Sequence, residues 1–155
     1  KLFARYFEAL YLLTDLEQSV TEASKRLLAS RQPGFMFAHI LSPHEPARFN
    51  ATCELLFTVN PGLGNASAQQ YRNDLPCLNA QVLRSVDFIL KNDDTQPIIL
   101  IQSDHGIRSI EFSSDDKLLD LKNLMTFLLP DSCKPLHYKG MTPVNNFRLV
   151  ISCIT

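Results

Sequence analysis

Apolar positions along this chain fall into runs of different period, and each run predicts an element. Leu2, Phe3, Tyr6, Phe7, Leu10 and Leu13 keep a three-and-four spacing that gathers them on one helical face. Helical character is therefore expected over 1–30, interrupted at Thr14 and Asp15 and able to restart at Thr21-Glu-Ala-Ser. Gly34-Phe-Met-Phe-Ala-His-Ile-Leu-Ser is short and apolar on both faces and runs into a proline turn, which predicts a buried strand. Residues 43–70 read as a long polar loop, and loops of that length are usually functional. Tyr71, Leu75, Leu78, Val82, Val86, Ile89 and Leu90 then mark the clearest helix, ending at Asn92-Asp-Asp-Thr. Pro97-Ile-Ile-Leu-Ile-Gln-Ser predicts a second buried strand. The stretch from Leu118 to Leu129 fits strand or helix equally, as does the closing Asn146-Phe-Arg-Leu-Val-Ile-Ser-Cys-Ile. Helix, strand and loop in this order predict an α/β fold, a mostly parallel sheet with flanking helices. No repeat or linker divides the chain, so residues 1–155 are expected to form a single domain, with a helical lead-in over 1–33 and an α/β core over 34–155.

Composition narrows the partners. At 155 residues the chain would expose roughly 7,900 Å² when folded, against about 25,400 Å² unfolded, enough burial for a core without staples. Fifteen Lys and Arg against sixteen Asp and Glu leave a net charge of −1, which gives no basic excess for nucleic acid. No apolar run is long enough to span a membrane. Cys53, Cys77, Cys133 and Cys153 are too scattered for a zinc ribbon or a thioredoxin motif; two disulfides and four buried thiols both fit. A start at Lys1 instead of Met is expected of a processed product or an excerpt.

Ligands of open α/β sheets bind beyond the carboxyl ends of strands. The first predicted strand runs out into Ser42-Pro-His-Glu-Pro and the second into Ser103-Asp-His-Gly. Adjacent Asp104 and His105 would point to opposite faces of a regular strand, but at a strand end they can converge, with Gly106 supplying backbone freedom. A carboxylate and an imidazole that converge there make half of a divalent-metal site. Elsewhere the bland reading is preferred. His39 is read as a core histidine, Glu45 as an exposed loop carboxylate, and His137 as a loop residue within conceivable reach of the site. Asn79 and Arg84 read as a solvated face, Asp115-Asp116 as a hydrophilic turn, and Arg148 as a local pairing partner. Asn50-Ala-Thr and Asn65-Ala-Ser match glycosylation acceptors, a common triplet.

Phe37-Ala-His-Ile-Leu-Ser-Pro-His-Glu-Pro, the helix closing in Val86-Asp-Phe-Ile-Leu-Lys, and Pro97-Ile-Ile-Leu-Ile-Gln-Ser-Asp-His-Gly together resemble one family. They are similar to the C-terminal half of a sulfatase-like domain of the alkaline phosphatase superfamily, in the branch of lipoteichoic acid synthases and phosphoglycerol transferases. Met141-Thr-Pro-Val-Asn-Asn-Phe-Arg-Leu-Val resembles that branch's closing segment, so the likeness spans most of 35–150. The resemblance implies a partial alkaline-phosphatase-like fold and metal-dependent hydrolysis or transfer of phosphate or sulfate esters. It implies Asp104 and His105 as ligands of a manganese or zinc ion, and His44 as a contact for the ester's oxygens. It also implies an extracytoplasmic location, with membrane contact only through helices upstream. The family's nucleophile and its other acidic ligand follow the domain's first strand, and nothing in 1–34 reads as such a strand and helix. No catalytic residue is therefore expected in this chain, which alone should be inactive. A non-catalytic α/β partner-binding or structural domain is the rival reading. A flavodoxin-like domain would need a phosphate-cradling glycine loop, which is missing. A sheet edge left open is expected to drive self-association.

Overall fold

A computed structural model describes residues 6–12, 15–44, 48–56, 68–106 and 121–155. Its elements are β1 (Tyr6–Leu12), α1 (Leu16–Ser30), β2 (Gly34–Ile40), α2 (Ala68–Asn92), β3 (Ile99–Gln102), β4 (Met125–Leu128), a 3-10 helix (Asp131–Leu136) and α3 (Pro143–Ile154). The class is mixed α/β. The chain divides into two compact units, one built on β1, α1, β2 and α2, the other on β3, β4 and α3.

In the first unit β1 pairs in parallel with β2, Tyr6 opposite Gly34 and Leu12 opposite Ile40, with α1 as the crossover. The helix expected over 1–30 is therefore corrected: Tyr6–Leu12 is a strand, and the helix begins at Leu16, not Thr21. A seven-residue run rich in aromatic residues suits a pleated strand as well as its spacing suits a helix. Residues 1–34 thus hold a strand followed by a helix, the strand ending at Leu12 and the helix beginning at Leu16. Leu16, Val20, Ala23 and Ser24 recur at helical spacing and form the buried face of α1. Leu16 and Val20 pack against Met36, Ala38 and Ile40 of β2 and Leu78, Val82 and Ile89 of α2. Burying such side chains contributes about 1.5–3 kcal/mol each. Alternation then sends Phe35, Phe37 and His39 to the other face of β2, where Phe37 remains 43% exposed. His39 is half-buried with its ring 6.4 Å from that of Phe37, so it lies off the core face. Arg84 of α2 reaches Glu17 of α1 at 2.6 Å, and both are exposed, as expected of a solvated face.

In the second unit β3 pairs antiparallel with β4, from Ile99 opposite Leu128 to Gln102 opposite Met125. The described strands thus form one parallel and one antiparallel pair, where a mostly parallel sheet was expected. The ambiguous stretches resolve into a strand at 125–128 and a helix at 143–154, with Pro143 in the first turn. All four cysteines are bonded, Cys53 to Cys77 and Cys133 to Cys153, each pair with Cα atoms 5.4 Å apart. The first bond ties the 48–56 loop to α2, and the second ties the 3-10 helix to α3. Among the described residues no helix is long and apolar enough to cross a membrane.

Candidate functional site

The end of β3 brings Asp104 and His105 together. The ladder continues one step past Gln102, since the Ser103 N–H donates to the Leu124 carbonyl at 3.0 Å. The Leu124 N–H in turn donates to Ser103 Oγ at 2.8 Å. Beyond that point the chain bends, and strand alternation no longer separates neighbouring side chains. The His105 N–H donates to Asp104 Oδ1 at 3.0 Å, folding the carboxylate back over the next residue. Asp104 Oδ2 then stands 3.7 Å from His105 Nε2. His105 Nδ1 lies 2.6 Å from the Gly106 carbonyl oxygen, which can only accept. Nδ1 therefore carries a proton, and Nε2 is the ring nitrogen nearer Asp104 Oδ2. Gly106 acts through that carbonyl; Gly140 is the one glycine at positive φ among the described residues.

A carboxylate oxygen and an imidazole nitrogen are donors of the kind a divalent ion takes. Bonds of about 2.0–2.2 Å place two ligands of one ion up to about 4 Å apart, which covers the observed span. The Asp104 side chain is 89% exposed and that of His105 30%, so the pair opens to solvent. No group of three or more His, Cys, Asp or Glu side chains that could hold a metal occurs among the described residues. The arrangement is thus a pair of neighbouring donors, one carboxylate and one imidazole. His137 caps the 3-10 helix and sets its ring 5.4 Å from that of Phe127.

His44 stands in the other unit, exposed on the turn that leaves β2, with its N–H donating to the Leu41 carbonyl at 2.7 Å. A fully buried carboxylate, Asp74 of α2, fastens this turn at both ends. Asp74 Oδ2 accepts from Ser42 Oγ at 3.5 Å and from the Arg48 N–H at 3.0 Å, while Oδ1 accepts from the Phe49 N–H at 2.8 Å. A loop that carries His44 is therefore closed at its neck by one side chain. Glu45 lies outside the described residues, as do Asn65 and Asp115-Asp116. Asn50, of the first glycosylation triplet, instead organises a turn. Its Oδ1 accepts from the Thr52 and Glu54 N–H groups, and its Nδ2 donates to Glu54 Oε2 at 2.8 Å.

Sequence reasoning missed Asp74, Asn123 and Asn146. Asp74 carries a legible signal, because it precedes Leu78 and Val82 by four and eight residues on the apolar face of α2. A charge on such a face must find donors. Asn146 of α3 is fully buried and donates to Gln102 Oε1 at 2.5 Å, which ties the closing helix to the end of β3. No local pattern announces that contact. A groove of about 610 Å³ between α1, α2 and the 48–56 loop, lined by Glu17, Glu22, Lys25, Phe49, Cys77 and Arg84, includes none of the predicted site residues. No protein-family model, curated protein or solved structure matches this chain.

Proposed function

We propose that this chain is part of a metal-dependent hydrolase or transferase of phosphate or sulfate esters, with a sulfatase-like, partial alkaline-phosphatase-like fold. The observation that carries the reading is the Asp104–His105 pair, with Oδ2 and Nε2 3.7 Å apart and Nδ1 already engaged by Gly106. Asp104 Oδ2 and His105 Nε2 would hold a manganese or zinc ion. Such an ion, when bound, polarises the ester oxygen and neutralises charge that develops on it. The resemblance that implies the ion also implies His44, on the turn clamped by Asp74, as a contact for the ester's oxygens. With two ligands and no matched nucleophile, the chain alone turns over little or no ester. Disulfides at all four cysteines agree with assembly in an oxidising, extracytoplasmic compartment.

The rival is a non-catalytic α/β domain that binds a partner, and metal uptake separates the two. The chain is loaded with Mn²⁺ or Zn²⁺, and bound metal is counted for wild type, Asp104→Ala and His105→Ala. The ester-enzyme reading expects uptake by wild type and loss in both variants. Equal metal content in all three proteins would sink it.

A further inference from the structure

We infer that Asn123 is a positioning residue for the Asp104–His105 half-site, an inference that rests on the cation-binding reading of that pair. The turn after β3 has few supports of its own. Its ladder ends at Ser103, Asp104 is almost wholly exposed, and the bond between Asp104 Oδ1 and the His105 N–H is local. Among the described residues, the segment just before β4 reaches the turn from elsewhere. Asn123 Nδ2 donates to the Asp104 carbonyl at 3.1 Å and stands 3.5 Å from the Ser103 carbonyl. The amide thus spans the two peptide units that lead into the half-site. The next residue completes the grip through the paired bonds between Leu124 and Ser103.

Asn123 suits this work chemically. An amide nitrogen has two N–H donors, enough to serve two carbonyls at once, and carries no charge to compete with Asp104 for a cation. It touches neither Oδ2 nor Nε2, so it acts through the backbone that aims them. Fixing the Asp104 carbonyl fixes where its carboxylate starts, and the His105 N–H then fixes where that carboxylate ends. Two ligands alone fix little geometry, so the affinity of this pair depends heavily on such a brace.

The test is a Mn²⁺ titration of the chain, read as paramagnetic broadening of the amide signals of residues 104–106, with signals of 99–102 reporting whether the β3–β4 pair is intact. Asn123→Ala is expected to weaken Mn²⁺ binding about 10-fold or more, in the range of outer-shell substitutions, while the 99–102 signals keep their dispersion. Asn123→Gln, which keeps the amide, and Asn123→Met, which keeps the length without a donor, supply the second comparison should the alanine variant unfold. The glutamine variant should bind Mn²⁺ more tightly than the methionine variant. Wild-type affinity in Asn123→Ala, or equal affinities for Gln and Met, would overturn the role of Asn123 and leave the half-site standing. No selective broadening at 104–106 in wild type would overturn the half-site, and the inference with it.

Discussion

At the scale of single residues, burial and turn geometry fix the partners of several carboxylates. Asp74 is the strongest case. Removing its carboxylate leaves the Arg48 and Phe49 N–H groups without their acceptor in a buried setting, at about 1–3 kcal/mol for each unsatisfied group. Asp74→Ala should therefore cost about 3 kcal/mol in urea unfolding and loosen the turn that carries His44, seen as faster amide exchange at 41–49. An unfolding midpoint equal to wild type would contradict this. Glu54 offers a milder test. Hydrogen bonds from Asn50 and then Thr52 hold its carboxyl below the ordinary 4.5. A carboxyl depressed by folding stabilises the folded turn above its unfolded value and loses that contribution as pH falls through the folded one. The 50–54 turn should hence loosen on acidification below about pH 4.5, and Asn50→Ala should raise the Glu54 carboxyl toward the ordinary range in an NMR titration. Both contacts span residues distant in sequence or depend on turn geometry, so composition alone does not disclose them. Asp104 and His105 were legible because adjacency at a strand end is itself a geometric statement. The Gly106 carbonyl that selects the His105 tautomer was not, because it depends on how the chain bends after Ser103.

At the scale of elements, the strands and helices read with least ambiguity were those with one strong period. The β2 run combines β-branched, aromatic and small residues between two proline turns, and α2 repeats its apolar face over more than four turns. β1 is ambiguous in the sequence because Tyr6, Phe7 and Leu10 satisfy helical spacing and strand propensity together, and its pairing with β2 decides between them. The direction of β4 was not legible either, since no pattern between 103 and 124 distinguishes a crossover from a return. The disulfides make the sharpest prediction at this scale. Cys53 and Cys77 close a segment of 24 residues, for which chain entropy gives about 3.5 kcal/mol at 25 °C. Cys53→Ala/Cys77→Ala should lower stability by roughly that amount, and intact chain should show no thiol to alkylating reagent before reduction. Four reactive thiols in the native protein would refute the pairing.

At the scale of the whole molecule, exposed apolar side chains and the edges of the described two-stranded sheets lead us to expect association. Val144 is 77% exposed and Ile151 55%, with Phe147 between them on the same side of α3, and each sheet has two strands. Two-stranded sheets leave an edge on each side, and exposed apolar stripes favour contact with another surface. Sedimentation should show mass rising with concentration, reduced in Val144→Asp/Ile151→Glu; a strictly monomeric chain would contradict this. None of these tests bears on the central claim as directly as one measurement on the wild-type chain. Mn²⁺ added in small increments should first broaden the amide signals of Asp104, His105 and Gly106, and excess Zn²⁺ should displace it and restore them. Broadening spread evenly over exposed carboxylates such as Asp131 and Glu54, with nothing selective at the end of β3, would show that Asp104 and His105 do not form half of a metal site.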